Sequence, residues 1–277
     1  MQILKKVTDT IDKEAIYSIY SDRLVVALVG LADRYMNQNV MHALQRHIMD
    51  ALVCFFNIPN LAKMVSMKSL EALVTVTFSF MSRCRSIPSH LLSQEEEHLL
   101  KVCNTMIGKV LDTANYTIVV IVLLQQLRHH APQPLSHYTD FVLKCLVKMT
   151  GDLKKSDANF KPILREIHLF LCDYPPEYWE KERDNCKREG KSDKERERVT
   201  LPLLTIRALL LEIVTLKQSD VLKMLTLIPT HPPPLILSII QTMLKKTEDK
   251  LTGGSVSSSV PPPASNPKLT DNGSVTS

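Results

Sequence analysis

The 277 residues suffice for one large or two small domains with a proper core. Hydrophobic residues make up 44% and aromatics only 5%, so the core is aliphatic, which favours helix packed on helix. A net charge of +5, from 34 basic and 29 acidic residues, suits acidic surfaces but is too small to argue for nucleic acid.

Taken in chain order, MQILKKVTDT has no apolar run after its lysines and is not a secretory signal. Helices are predicted near 2–12 and 14–36, then a turn at Asn37-Gln38-Asn39. Val40, Leu44, Ile48, Leu52 and Phe55 step by three and four, one stripe of a helix over 39–57. A helix over 66–83 follows Pro59. Ser93 ahead of Gln94-Glu95-Glu96 starts another over 93–113, with Leu99, Cys103, Met106, Ile107 and Val110 on one face. Ile118–Leu124 is the most apolar stretch, far shorter than the ~20 residues that span a bilayer. It is a buried part of a helix over 115–130, not a membrane anchor. Further helices are predicted over 136–150 and 157–173, the latter carrying Ile163, Ile167 and Leu171. The remaining ones cover 176–189, 198–216, 219–228 and 232–247, with Leu203, Ile206, Leu210, Ile213 and Val214 on one face and Ser219-Asp220 as a cap.

Prolines at 59, 88, 132, 134, 162, 175, 176, 202, 229 and 232–234 punctuate the chain and read as turns between helices or as helix starts. Paired, these helices make about six hairpins of roughly 35–45 residues, an all-α, HEAT-repeat-like α-solenoid. A compact irregular bundle is the alternative. Residues 178–198 hold eight basic and seven acidic residues, which suits an exposed helix end or a mobile loop. From Asp249 the chain is Ser/Pro/Gly-rich and without apolar period. The expected organisation is therefore a helical domain over 1–248 and a disordered linker over 249–277, cut out of something longer.

The candidate chemistry is sparse. Seven glycines, three of them in the tail (Gly253, Gly254, Gly273), leave Gly30, Gly108, Gly151 and Gly190 isolated, so no phosphate-cradling loop can be assembled. Cys54, Cys84, Cys103, Cys145, Cys172 and Cys186 never pair as CxxC and are expected as reduced core thiols. His129, His130, His137 and Cys145 lack the spacing of a zinc site. The neighbours Cys54/His47 and Cys172/His168, and the acidic run Glu95–Glu97, lack a third partner for catalysis. A non-enzymatic chain without cofactor or metal is expected. The basic residues Lys63, Lys68, Arg83 and Arg85 lie near helix ends, and Lys154, Lys155 and Lys161 surround one inter-helix loop. One edge of such a solenoid is the expected partner-binding surface. Trp179, in YPPEYWEK, is either a helix-start packing residue or a partner anchor.

Three stretches carry a resemblance. FVLKCLVKMT (141–150), ILREIHLFLCDYP (163–175) with the following EYWEKERDNCK, and IRALLLEIVTLKQSDVLKMLTLIP (206–229) resemble, in order and spacing, the C-terminal helical domain of the ch-TOG / mini-spindles family of microtubule polymerases. The likeness extends over roughly residues 12–247, with DRLVVALVGLADRYMNQN (22–39) similar to the start of that domain. The resemblance implies a cytoplasmic, cytoskeletal scaffold. TOG domains of the family hold tubulin and promote growth at microtubule plus ends. The C-terminal part helps place the protein at centrosomes and spindle poles, partly through TACC-like coiled-coil adaptors, in a setting that includes the kinetochore. Neither nucleic acid nor membrane is an expected partner. Strong tubulin grippers carry a tryptophan in the first inter-helix loop, and Asn37-Gln38-Asn39 has none, so no tubulin-contact residue is carried over. The charged stretch after Trp179 is longer than the family pattern, as a loop insertion would be. The rival reading is an unrelated helical-repeat adaptor in transport or signalling, contacting partners through 178–198.

Overall fold

The computed structural model describes the backbone of residues 11–36, 42–229 and 231–252, and the side chains of 20–35, 43–229 and 231–247. Among the described residues there are thirteen α-helices and no strand. They are α1 (Ile11–Met36), α2 (His42–Phe56), the short α3 (Pro59–Ala62), α4 (Met67–Ser86), α5 (Gln94–Thr113), α6 (Tyr116–His130) and α7 (His137–Asp152). Then come α8 (Phe160–Asp173), α9 (Pro176–Arg188), α10 (Asp193–Val199), α11 (Leu201–Lys217), the short α12 (Asp220–Lys223) and α13 (Leu235–Thr252). Residues 2–10 of the expected helix at 2–12, the turn at 37–39 and residues 253–277 of the expected linker lie outside the described residues; residues 11 and 12 are continuous with α1 rather than ending a separate helix, and α13 runs beyond the expected boundary at 248.

Local chemistry sets the helix starts. Ser66, Asn115, Ser136 and Asn159 each accept a backbone N–H of the first turn that has no partner within the helix. At Ser93 the cap is reciprocal: Glu96 N–H donates to Ser93 Oγ at 3.2 Å, and Ser93 N–H donates to Glu96 Oε2 at 3.0 Å. Ser219 does not cap as expected, because its own backbone is already helical, and Asp220 pairs with Lys223 instead.

The helices pack in two layers. α1, α4, α7 and α11 lie side by side in one; α2, α5, α6, α8 and α13 form the other. The described parts of the predicted stripes, from Ile48 and Leu52 through Leu99, Cys103, Ile163 and Ile167 to Leu210 and Ile213, are buried between them. α6 departs from simple hairpin pairing with α5. Val119 to Leu124 are buried in an unbroken run, so apolar side chains face every direction and need neighbours on every side. α6 accordingly packs chiefly on α7 and α8.

The charged stretch 178–198 is a helical hairpin, not a loop. Gly190 turns the chain at φ +71°, a conformation glycine adopts without strain, and Ser192 forms a capping box with Glu195 to start α10. Arg198 then holds Asp140 of α7 through two bonds of 2.9 and 2.7 Å. The charges are the solvated faces of two short helices.

Because the chain runs up and down, its turns collect on two edges. Turns at 57–66, 114–115, 153–159 and 218–229 form the first; turns at 87–93, 131–136 and 174–200 form the opposite one.

Candidate functional site

The predicted basic residues divide between these edges. Lys63, Lys154, Lys155 and Lys161 are on the first, while Arg83, Arg85 and Trp179 are on the opposite one. Lys63 precedes α4 and the two arginines occupy its last turn, so a helix of 20 residues, about 30 Å long, separates them. They do not form one site.

The first edge is tied together by side chains reaching between turns. Thr113 Oγ1–H donates to the carbonyl of Phe56 at 2.8 Å, joining the ends of α5 and α2. Asn159 N–H donates to Thr117 Oγ1 at 2.8 Å, joining the entries of α8 and α6. Tyr116 O–H donates to the carbonyl of Met149. Burial, reinforced by the Asp152 carboxylate, pushes the Tyr116 phenol well above its ordinary range, so it remains a donor. The edge is a ledge fixed by the fold.

On this ledge Lys63 and Lys155 line one cleft of about 520 Å³ with Thr113, Asn115, Tyr116 and Ser156. The same cleft holds Asp112, Asp152 and Asp157, three carboxylates to two ammonium groups. The expected basic edge is therefore of mixed charge, and Asp112 is itself engaged by Lys148. Lys154 Nζ lies 3.0 Å from Glu212 Oε1, bracing the end of α7 against α11. Among the described residues Lys63, Lys155 and Lys161 form no ion pair, and all three are exposed. Lys68 lies apart, in a groove between α1 and α4 that Asp33 and Glu71 also line. Arg83 rests 5.4 Å over the Phe80 ring, and Arg85 is exposed.

Trp179 is not a surface anchor. It is 1% exposed, stacked 6.1 Å from Phe170 and edge-on to Tyr178 at 5.1 Å, with Nε1–H donating to the carbonyl of Tyr174 at 3.2 Å. YPPEYW folds its aromatics onto the end of α8, pinning α9 there.

The histidines and cysteines do not converge. His130 stacks on Tyr138 at 3.9 Å, and Cys145 is buried, which pushes its thiol up to about 12. Among the described residues no three His, Cys, Asp or Glu side chains gather as metal ligands. Cys172 Sγ lies 3.6 Å from the His168 ring. Partial burial and the Asp173 carboxylate push that thiol up, and burial pushes the imidazole down. Both shifts oppose the thiolate–imidazolium pair that nucleophilic catalysis needs. Among the described residues no single helix is long and apolar enough to cross a membrane.

Comparison with known proteins supplies what this geometry does not. The chain is 28% identical over 259 residues to Protein MOR1 of Oryza sativa subsp. japonica, covering 86% of this chain and 12% of that protein. Protein MOR1 of Arabidopsis thaliana is 27% identical over 245 residues, covering 81% of this chain and 12% of the relative. Protein mini spindles of Drosophila melanogaster is 24% identical over 188 residues, 66% of this chain and 8% of the relative. These matches agree with the resemblance to the ch-TOG / mini-spindles family. It spans about a tenth of the length of these curated relatives. No family model and no solved structure matches it.

The three stretches that carry the ch-TOG / mini-spindles resemblance are α7, α8 with the start of α9, and α11 through α12. In space they are neighbours, since α11 packs on both α7 and α8. These three stretches thus form one contiguous block of the array.

Proposed function

We propose that this chain is a non-catalytic protein-binding module of a microtubule-assembly protein, which meets tubulin or microtubules along its first edge. The observation that carries the reading is the fixed ledge with Lys63, Lys155 and Lys161 held outward and unpaired, in a chain that resembles the ch-TOG / mini-spindles family. Tubulin and its tails are acidic, and cations on a rigid rim favour such a partner without reorganising. The carboxylates beside them keep the attraction short-ranged and its salt dependence shallow. In the cell the module supports microtubule growth and spindle organisation, at centrosomes and spindle poles, kinetochores or plus ends, with a TACC-like adaptor contributing to placement.

Co-sedimentation of the chain with stabilised microtubules, alongside size-exclusion binding to free tubulin, tests this. Replacing Lys63, Lys155 and Lys161 by Glu is expected to weaken binding about tenfold. Lys154→Ala is expected to change it less than twofold, because Lys154 already serves Glu212. Undiminished binding of the triple variant would remove the first edge from the proposal.

A further inference from the structure

We infer that the groove between α11 and α13 is a second docking surface, built for an acidic amphipathic helix of a partner protein. It lies apart from the ledge and does not depend on tubulin being the partner there. The groove, of about 360 Å³, is lined by Arg207 on α11 and by Ser238, Ile239, Thr242, Met243 and Lys246 on α13. In the described array these two helices are the last of their layers, so the flank they share has no further helix beside it.

That flank is apolar where a solvated flank would be polar. Leu204 and Leu211, one turn either side of Arg207 on α11, are 51% and 44% exposed. Leu235, one turn before Ile239 on α13, is 36% exposed. Their spacing matches a helical ligand: residues 204 and 211 are about 10 Å apart along α11, and 235 to 243 span about 12 Å along α13. A third helix presenting apolar residues at i, i+4 and i+7 covers the same length and packs its ridge between the two. Among the described residues α1, α4 and α7 of α11's layer also expose large hydrophobics, whereas in the other layer Leu235 of α13 alone does so, which makes this the flank where exposed apolar residues of the two layers meet.

Charge selects the occupant. No carboxylate lines the groove, while Arg207 and Lys246 flank it and Lys245 stands next to it. The only acidic residue of α11, Glu212, is held by Lys154. On α13 no acidic residue occurs through Thr247. An apolar strip with a cationic rim recognises an apolar stripe with anionic flanks and rejects a cationic one.

The test uses the full chain and two fluorescent, helix-stapled peptides of about 14 residues, roughly four turns. Both carry leucine at i, i+4 and i+7; one has glutamate at the flanking positions, the other lysine. The acidic peptide is expected to bind saturably and more weakly as salt rises, and the basic one to bind at least tenfold more weakly. Arg207→Glu with Lys246→Glu should weaken the acidic peptide at least tenfold, and Leu211→Ser about fivefold, with the far-UV circular dichroism unchanged. The Lys63/Lys155/Lys161 glutamate variant should bind it normally, which separates this groove from the ledge. Equal binding of the two peptides, or indifference to the charge reversal, overturns the inference. So does self-association of the chain abolished by the same charge reversal, which would assign the groove to a second copy.

Discussion

Replacing Trp179 by alanine empties the largest fully buried side chain of the described structure. The indole leaves a void against Phe170, Tyr174 and Tyr178, and such Trp→Ala changes cost about 3–5 kcal/mol when the surroundings relax only partly. The lost Nε1–H bond adds little, since the Tyr174 carbonyl is near enough to solvent to be hydrated. Trp179→Phe keeps a ring on Phe170 and is expected to cost about 1–2 kcal/mol. With a urea slope of about 3 kcal/mol per molar, the alanine variant should unfold about 1–1.7 M earlier. Circular dichroism is the probe, because the protein has a single tryptophan. Hydrogen exchange should show faster opening across residues 176–199, the hairpin that Trp179 pins. In the wild type, that one tryptophan should emit as a buried indole. A cost below about 0.5 kcal/mol with the fold intact would refute the packing account and restore Trp179 as an exposed anchor.

Three further outcomes follow from the geometry. Arg128 lies 3.6 Å from Glu166 and 3.4 Å from Asp173, and Glu166 is 8% exposed. Arg128→Met should cost about 2–4 kcal/mol, and adding Glu166→Gln should recover part of it, whereas simple additivity in the double-mutant cycle would contradict the pairing. Gln218 ends α11 at φ 47°, ψ −134°, a region natural only to glycine, so Gln218→Gly should gain about 1 kcal/mol, or 2–4 °C in Tm. A loss in melting temperature would show that the glutamine side chain holds the turn. Burial pushes the Asp22 carboxyl up, but hydrogen bonds from Ser69 and from the backbone and side chain of Ser66 outweigh it and hold the pKa below 3.8. Its folded value is therefore the lower one: its stabilisation is complete above the unfolded pKa and disappears as pH falls through the folded one. Asp22→Asn should destabilise equally at pH 7 and pH 5 and by progressively less as the pH is lowered further, by urea midpoints; a constant difference at every pH would exclude the charge as the cause.

The helical solenoid was legible because aliphatic stripes at three- and four-residue steps force burial of one helix face, and because Ser93 with Glu96 is a local device that needs no tertiary context. α6 was harder to place. A helix apolar on every face announces burial but not which neighbours provide it, so its packing on α7 and α8 appears only in three dimensions. The charged run after Trp179 has the composition of a loop, yet the Gly190 turn, the Ser192 capping box and the long-range bond from Arg198 to Asp140 make it a hairpin. For the site, the sequence groups Lys63 with Lys68, Arg83 and Arg85 near helix ends and Lys154, Lys155 and Lys161 around one loop; that Lys63 shares an edge with the second group, and the arginines do not, follows only from the fold. Asp152 and Asp157 flank Lys154 and Lys155 in the sequence, so part of the mixed charge is legible there, whereas Asp112 beside Lys63 and Glu212 beside Lys154 come from distant parts of the chain. The α11/α13 groove was hidden for a different reason. In LPLLTIRALLLEIVTLK nearly every position is apolar, so exposed Leu204 and Leu211 cannot be told from buried Leu203 and Leu210 by sequence.

The first edge is the face proposed to meet the filament protein. Photo-crosslinking tests this assignment most directly, with a benzophenone amino acid placed singly at Lys155, Lys161, Arg85 or Cys172 and the purified chain mixed with tubulin. Adducts to tubulin are predicted from positions 155 and 161 and not from 85 or 172. Adducts from position 85 alone, or none from the first edge under conditions where the chain co-sediments, would contradict it.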